Sequence, residues 1–220
     1  MNPPDTDFVQ RMAESFPSGL AVPAPLADFF AWQASNGLVR AFRSGGSYAR
    51  IDTRSEAGCM YTTPVDPGFA EAWLPHAPQA ERDRLATFFR TGGDGSYAAL
   101  WRDDAGAPHI VHLGSGSGST MLGVLASDPI DFLRLLAIGY EELCWPDQFD
   151  RTPAEIDAEN EYLEDAPWDR SAALREWVTA RFAVAVPRRA SDLLGRVSDM
   201  GDETSTDPFL AWLRRWDEAR

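Results

Sequence analysis

The stretch from Gly93 to Leu143 constrains the fold more than any other part of the chain. The sequence there predicts three short strands joined by turns that contain Gly and Asp, at about 96–101, 109–113 and 120–126. Asp128 and Pro129 then follow in the order of a helix cap and a first helical residue. The apolar run behind them predicts a nearly buried helix whose stripe reaches Leu143.

The first of these strands carries apolar side chains on both faces. Tyr97, Ala99 and Trp101 alternate with Ala98 and Leu100, and successive side chains of a strand point to opposite sides of the sheet. We therefore expect a central strand that is covered on both sides.

Apolar periodicity predicts further helices before and after this stretch, at about 5–16, 25–36, 79–90, 171–182 and 208–216. Residues 38–63 favour a hairpin or meander, and one helical turn is expected around Phe69 and Trp73. The sequence is rich in Asp and Glu around and after Trp145. We expect one domain over 1–145 and an acidic, largely helical extension over 146–220 that packs on the same body.

The charge of the chain limits its partners. All 20 basic residues are Arg, against 34 acidic residues, so the net charge is −14. The absence of Lys excludes Schiff-base catalysis and the lysine of a phosphate-binding loop. Phosphate binding needs concentrated positive charge, so direct nucleic-acid binding and an anionic membrane surface are disfavoured. A basic protein is the partner that this field attracts, although net negative charge also serves solubility alone.

Cysteine content and hydropathy are typical of a protein of the reducing cytoplasm. Cys59 and Cys144 are too few for a disulfide framework, and each is expected to be a small buried hydrophobe. The chain has no run of 18 apolar residues, and its first residues have neither a basic nor an apolar region. Neither a membrane span nor a signal peptide is expected.

The histidines and the glycine-rich loop do not form a recognisable reactive site. His109 and His112 stand three residues apart in one predicted strand, so their side chains point to opposite faces and cannot chelate one ion. The run at 114–119 lacks the spacing of a nucleotide-binding loop and leads into a strand, which favours a flexible hairpin loop. No cofactor, metal ligand or catalytic residue is predicted.

Acidic residues provide the candidate binding site. Residues 141–169 hold eleven carboxylates and one Arg, a net charge of −10, interleaved with four aromatic residues. Carboxylates steer a basic partner and aromatic side chains anchor it, whereas the alternative is a merely solvated acidic face. The predicted partner-binding residues are Asp103, Asp104, Glu141, Glu142, Trp145, Asp147, Asp150, Glu164 and Asp165.

Two parts of the sequence resemble the SMI1/KNR4 family, also called the SUKH superfamily. PLADFFAWQASNG is similar to the family's opening helix with its Asn-Gly stop. The run GGDGSYAALWRDD, with PHIVHLGSGSGSTMLGVLASDPIDFLRLLA after it, resembles the family's Gly-Asp-Gly start, strand, hairpin, Gly-containing loop and final helix. The resemblance covers about residues 24–145. The loop here has only Ser and Gly where the family often has an acidic residue.

The resemblance implies an α+β fold, with a mainly antiparallel, curved sheet and helices packed on one side. It also implies that bacterial members act largely as immunity proteins against secreted polymorphic toxins, many of them nucleases, whereas fungal relatives regulate cell-wall synthesis. The expected function is a non-enzymatic protein-binding module that neutralises a basic toxin domain. The alternatives are a regulatory or scaffold protein with a housekeeping partner, and a small hydrolase with an unrecognised carboxylate or histidine site.

Overall fold

The centre of the fold is an antiparallel sheet in which each strand pairs with its neighbours in the chain. The computed structural model describes residues 6–52, 59–159 and 169–217, and within these ranges the sheet has seven strands in the order of the sequence. The strands are β1 (Val39–Ala41), β2 (Ser47–Arg50), β3 (Tyr61–Thr62), β4 (Leu85–Arg90), β5 (Tyr97–Arg102), β6 (Pro108–Leu113) and β7 (Leu122–Ala126). The predicted meander over 38–63 and the three predicted strands after Gly93 are confirmed.

Helices precede, interrupt and follow the sheet. In the described ranges they are α1 (Thr6–Ser15), α2 (Ala24–Ser35), α3 (Pro67–Trp73), α4 (Gln79–Arg82), α5 (Pro129–Ile138), α6 (Pro153–Asp157), α7 (Ala172–Phe182) and α8 (Pro208–Asp217). The α+β class is therefore confirmed, as are the predicted helices near both ends of the chain. No helix among the described residues is long and apolar enough to cross a membrane.

The predicted helix over 79–90 is wrong in its second half. Only α4 forms, and residues 85–90 are strand β4, paired with β3 on one side and β5 on the other. Five of its six residues are buried, because both faces of this central strand are covered. A short run that is apolar on both faces has no period that separates a strand from a helix.

The helix after Asp128 begins as predicted but ends earlier. The Asp128 side chain accepts a hydrogen bond from the amide of Ile130 at 2.8 Å and caps α5. Gly139 ends the helix in the left-handed region at φ 102°, and a Cβ there would lie 2.6 Å from the Ser171 hydroxyl. Leu143 is buried as expected, but it lies in the segment beyond the helix.

Helices cover both faces of the sheet, so the prediction of helices on one side is wrong. Leu100 belongs to a core that includes side chains of α1, α2, α5 and α7. Its neighbour Trp101 points to the other face, where it packs against Phe209 and Trp212 of α8. The prediction of a central strand covered on both sides is confirmed by these two contacts.

Residues beyond Trp145 take part in both cores. Phe149, Leu174 and Val178 belong to the first core, and the apolar side chains of α8 belong to the second. A domain boundary at residue 145 stays a prediction.

Candidate partner-binding surface

The predicted partner-binding residues lie at two ends of the sheet. Asp103 and Asp104 are in the turn between β5 and β6, whereas Glu142 contacts Gly93 in the turn between β4 and β5. The six residues of β5 separate these turns by about 20 Å. Two of the predicted residues, Glu164 and Asp165, lie outside the described residues. The described acidic residues therefore form two groups rather than one surface.

Asp103 holds the β5–β6 turn together. Its carboxylate accepts hydrogen bonds from the amides of Ala105 at 2.9 Å and Ala107 at 2.8 Å, and it lies 3.0 Å from His109 Nε2. The contact with His109 and the amide of Ala107 lower the pKa of Asp103. This carboxylate has a structural role in the turn.

Asp104 joins the same turn to α8. Its two oxygens pair with Arg84 at 2.8 Å and Arg215 at 2.7 Å. Hydrogen bonds from Arg215 and Arg84 lower the pKa of Asp104. Two guanidinium groups therefore offset this negative charge, which leaves little of it to attract a partner.

Glu142 is also used within the fold. Its carboxylate accepts a hydrogen bond from the amide of Gly93 at 2.6 Å and another from the indole of Trp145. Burial alone would raise the pKa of Glu142, but these hydrogen bonds, with those from two thiols, lower it. The thiols belong to Cys59 and Cys144, and Cys144 lies 3.6 Å away.

Both cysteines are free thiols, and their environment disfavours the thiolate form. Cys144 is buried as expected, whereas Cys59 is only half-buried. Burial and the neighbouring carboxylate of Glu142 raise the pKa of both thiols. Because the thiolate is the nucleophilic form, a raised pKa disfavours cysteine catalysis here.

Three of the predicted acidic residues remain exposed and unneutralised. Among the described residues, Glu141, Asp147 and Asp150 form no ion pair or hydrogen bond through their carboxylates. The half-buried ring of Trp145 lies in the same segment, held by its hydrogen bond to Glu142. We call Glu141, Trp145, Asp147 and Asp150 the acidic surface.

The segment that carries the acidic surface is anchored at several points. The amide of Leu143 donates to the carbonyl of Thr91 at 2.8 Å, and the Tyr140 hydroxyl donates to the carbonyl of Arg151 at 2.6 Å. Phe149 is buried against the ring of Tyr140. The exposed carboxylates are therefore presented from a well-packed base.

The sequence interpretation missed Asp94, which organises the glycine-rich loop. Its carboxylate accepts hydrogen bonds from the amide and hydroxyl of Ser96, the hydroxyl of Ser115 and the amide of Ser119, at 2.6–3.0 Å. Burial opposes ionisation, but these hydrogen bonds hold the pKa of Asp94 well below its usual range. The loop predicted to be flexible is thus tied to the β4–β5 turn. A Cβ on Gly118 would lie 2.7 Å from that of Asp94, which explains a glycine there.

A local sequence signal for Asp94 existed. Asp followed by Gly and Ser is typical of a turn in which the carboxylate binds backbone two residues ahead. The partners in the second loop, 21 and 25 residues later, have no such signal. The glycine-rich loop, through Asp94, and the segment that carries the acidic surface, through Glu142, are both attached to the turn Gly92–Gly95.

No protein-family model, curated protein or solved structure matches this chain. The resemblance to the SMI1/KNR4 family therefore stays a prediction, and the functional proposal depends mainly on the acidic surface.

The histidines point to opposite faces of β6, as predicted. His112 is fully buried, with Nδ1 2.9 Å from the carbonyl of Met121 and Nε2 2.9 Å from the hydroxyl of Thr91. A carbonyl only accepts, so Nδ1 carries the proton. Burial lowers the pKa of His112 to about 4. His109 packs instead on Trp101 on the α8 side.

A cleft of about 450 Å³ lies between the end of α5, α6 and the start of α7. Its charged side chains are largely paired: Arg170 with Asp157 at 2.9 Å, and Arg175 with Asp169 at 2.5 Å. In the described part of the chain, no three His, Cys, Asp or Glu side chains are placed to hold a metal ion. The cleft therefore offers a weaker functional candidate than the acidic surface.

Proposed function

We propose that this chain is a non-enzymatic protein-binding module, and that it neutralises a basic toxin domain as an immunity protein. The main observation in support is that the carboxylates of Glu141, Asp147 and Asp150 are exposed and form no ion pair with any cation of the described residues. They flank Trp145 in the sequence, and Trp is among the residues that contribute most at protein interfaces. The resemblance to the SMI1/KNR4 family supports the toxin as the type of partner.

The charges serve association more than affinity. A chain of net charge −14 attracts a basic domain over distances beyond contact, and such steering raises association rates by about 10- to 1000-fold at low salt. Because the segment is held by Glu142, Tyr140 and Phe149, little ordering entropy is lost when a partner binds. The two free thiols fit a place of action in the reducing cytoplasm.

Stopped-flow association with a basic toxin domain encoded by a neighbouring gene tests the proposal. The site variant combines Glu141→Gln, Asp147→Asn and Asp150→Asn. The control variant removes the same charge elsewhere, by Asp7→Asn, Glu176→Gln and Glu203→Gln, all of them exposed. We expect the association rate constant of the site variant to be at least about tenfold lower at low salt, and that of the control variant to fall much less.

The outcomes distinguish an effect of the acidic surface from an effect of the total charge of the chain. Equal slowing in both variants would show that total charge alone acts, and the acidic surface would then lose its assigned role. Absence of binding by the unchanged protein at low salt would remove the toxin proposal.

A further inference from the structure

Arginine and tyrosine alternate across four strands of the sheet. Arg50 of β2 stands opposite Tyr61 of β3, Tyr61 opposite Arg90 of β4, and Arg90 opposite Tyr97 of β5. Directly opposed residues share one face of a sheet, and the row spans about 15 Å. All four side chains are half-buried.

A second pair continues this row toward the edge of the sheet. Arg40 of β1 stands opposite Tyr48 of β2. The rings of Tyr48 and Tyr61 are 5.1 Å apart, and Phe42 lies 4.5 Å from Tyr48. We call this surface the arginine–tyrosine face, formed by Arg40, Tyr48, Arg50, Tyr61, Arg90 and Tyr97.

The same side of the sheet is covered by a helix farther along. There α8 packs Trp212 and Phe209 against Trp101, and all three are almost fully buried. Tyr97 shares this face with Trp101, because the two are four residues apart in β5. At the arginine–tyrosine face, α3 contributes Phe69, 4.5 Å from Tyr97. A pocket of about 160 Å³ remains between the rings.

The face is cationic although the chain is acidic. Arg90 donates to the carbonyls of Gly92 and Gly93, each at 2.9 Å, and its guanidinium lies 5.7 Å from the centre of the Tyr61 ring. Arg40 donates to the carbonyls of Gly37 and Val39. Within the described residues, neither of them pairs with a carboxylate, in a chain with 34 acidic residues.

Two further charged residues lie near this face. Exposed Arg43 follows Phe42 in the turn between β1 and β2, and it has no carboxylate partner in the described part of the chain. At the rim of the pocket, the carboxylate of Asp66 caps α3 through the amide of Gly68 at 2.9 Å. Arg40, Arg43 and Arg90 therefore leave positive charge beside an aromatic surface.

We propose that the arginine–tyrosine face binds an acidic, extended peptide segment of a partner protein, with a proline or aromatic side chain seated among the rings. Guanidinium groups that lack an internal carboxylate pair well with one from outside. Rows of aromatic rings accept proline-rich and aromatic segments, and Tyr and Arg are enriched at the energetic centres of interfaces. The net charge of −14 repels a nucleic acid, which carries a negative charge on every nucleotide, more strongly than a peptide in which acidic residues alternate with uncharged ones.

This surface is independent of the acidic surface, and it has the opposite charge. The two are linked through Gly93, whose carbonyl accepts from Arg90 and whose amide donates to Glu142, the residue that also binds the indole of Trp145. One chain can therefore present two charge-selective surfaces side by side. Failure of toxin binding would leave the arginine–tyrosine face unaffected, since its test uses other ligands.

The test is a binding titration followed by NMR, with the full chain and three probes. The first probe is a synthetic dodecapeptide of Glu, Asp, Pro and Tyr. The second has Lys in place of each acid, and the third is a single-stranded oligothymidylate of equal length. We expect the acidic peptide to shift the ring signals of Tyr48, Tyr61 and Tyr97, and the Lys peptide to leave them unchanged.

Single-residue variants then show which side chains contact the acidic peptide. Tyr61→Ala and, separately, Arg43→Glu should raise the Kd of the acidic peptide about tenfold. Arg196→Glu changes charge equally at an exposed site outside this face, and it should leave the Kd within about twofold. Retained dispersion of the amide spectrum shows that each variant is folded.

Three results would overturn the proposal. The first is no ring shift in the unchanged protein at low salt, and the second is tighter binding of the oligothymidylate than of the acidic peptide. The third is an equal loss with Arg196→Glu, which would reduce the effect to bulk charge.

Discussion

The carboxylate of Glu142 accepts a hydrogen bond from the amide of Gly93, 49 residues earlier in the chain, at 2.6 Å. The carbonyl of the same glycine accepts from Arg90 at 2.9 Å. Gly93 thereby links Arg90 of the arginine–tyrosine face to Glu142, which in turn holds Trp145 of the acidic surface. The relationship explains why the carboxylate next to Glu141 in the sequence is structural and not free.

Replacing Glu142 by Gln should destabilise the fold. An amide has one oxygen where the carboxylate has two, and it lacks the charge that strengthens the bonds from Gly93 and Trp145. We expect the free energy of unfolding to fall by about 1.5–3 kcal/mol, measured by urea denaturation at neutral pH. Glu141→Gln, at an exposed position, is the control and should change it by less than about 0.5 kcal/mol. Equal effects would contradict the structural role of Glu142.

Asp94→Asn should destabilise the protein in a pH-dependent way. Three donors face one oxygen of Asp94, and an amide nitrogen there would repel them, which costs about 2–3 kcal/mol near pH 7. The pKa of Asp94 is lowered in the folded state. The ionised carboxylate therefore makes its full contribution to the free energy of unfolding above about pH 4, which is the pKa of Asp in the unfolded chain. The contribution is lost as the pH falls further.

The measurement for Asp94 is the difference in unfolding free energy between the unchanged protein and the variant, from pH 7 down to the acid limit of folding. We expect this difference to shrink below about pH 4. Asp147→Asn, at an exposed carboxylate without a hydrogen-bond partner, is the charge-matched control. A difference that stays constant down to the acid limit would contradict the assigned role of Asp94.

His112 should make the protein less stable as the pH falls from about 6.5. Burial lowers its pKa to about 4, whereas the unfolded chain takes up a proton near pH 6.5. The neutral imidazole therefore makes its full contribution to the free energy of unfolding above about pH 6.5. As the pH falls to about 4, protonation of His112 in the unfolded chain lowers this free energy by about 3 kcal/mol. His112→Gln removes the titration, so the difference in unfolding free energy from the unchanged protein should narrow over this window. A pH-independent difference would argue against a neutral buried imidazole.

Trp212→Ala should test whether α8 belongs to the same cooperative unit as the sheet. Trp212 is fully buried, donates to Glu81 at 2.9 Å and lies under Arg84. Its truncation should cost about 3–5 kcal/mol while unfolding remains a single transition. Trp216→Ala, at a half-buried site of the same helix, should cost less. An early separate transition, with the sheet left intact, would mean that α8 is only an appended layer.

Local patterns were sufficient where neighbours in the chain decide the structure. The alternation in β5 and the Asp-Pro start of α5 were predicted correctly, because each depends on residues within one turn or one strand. The sequence predicts a helix over Leu85–Arg90 because its apolar residues have no strand period. Its pairing with β3 and β5 decides the matter, and those partners come from elsewhere in the sequence.

The sequence by itself determined the α+β class, the excess of negative charge and the concentration of that charge after α5. It could not separate Glu141 from Glu142, or Asp94 from any other acid in a turn. Those differences depend on which amides, hydroxyls and guanidinium groups lie within hydrogen-bond distance. Tertiary structure decided that, because deciding partners such as Gly93 for Glu142 and Arg215 for Asp104 lie 20 to more than 100 residues away in the chain, where local periodicity carries no information.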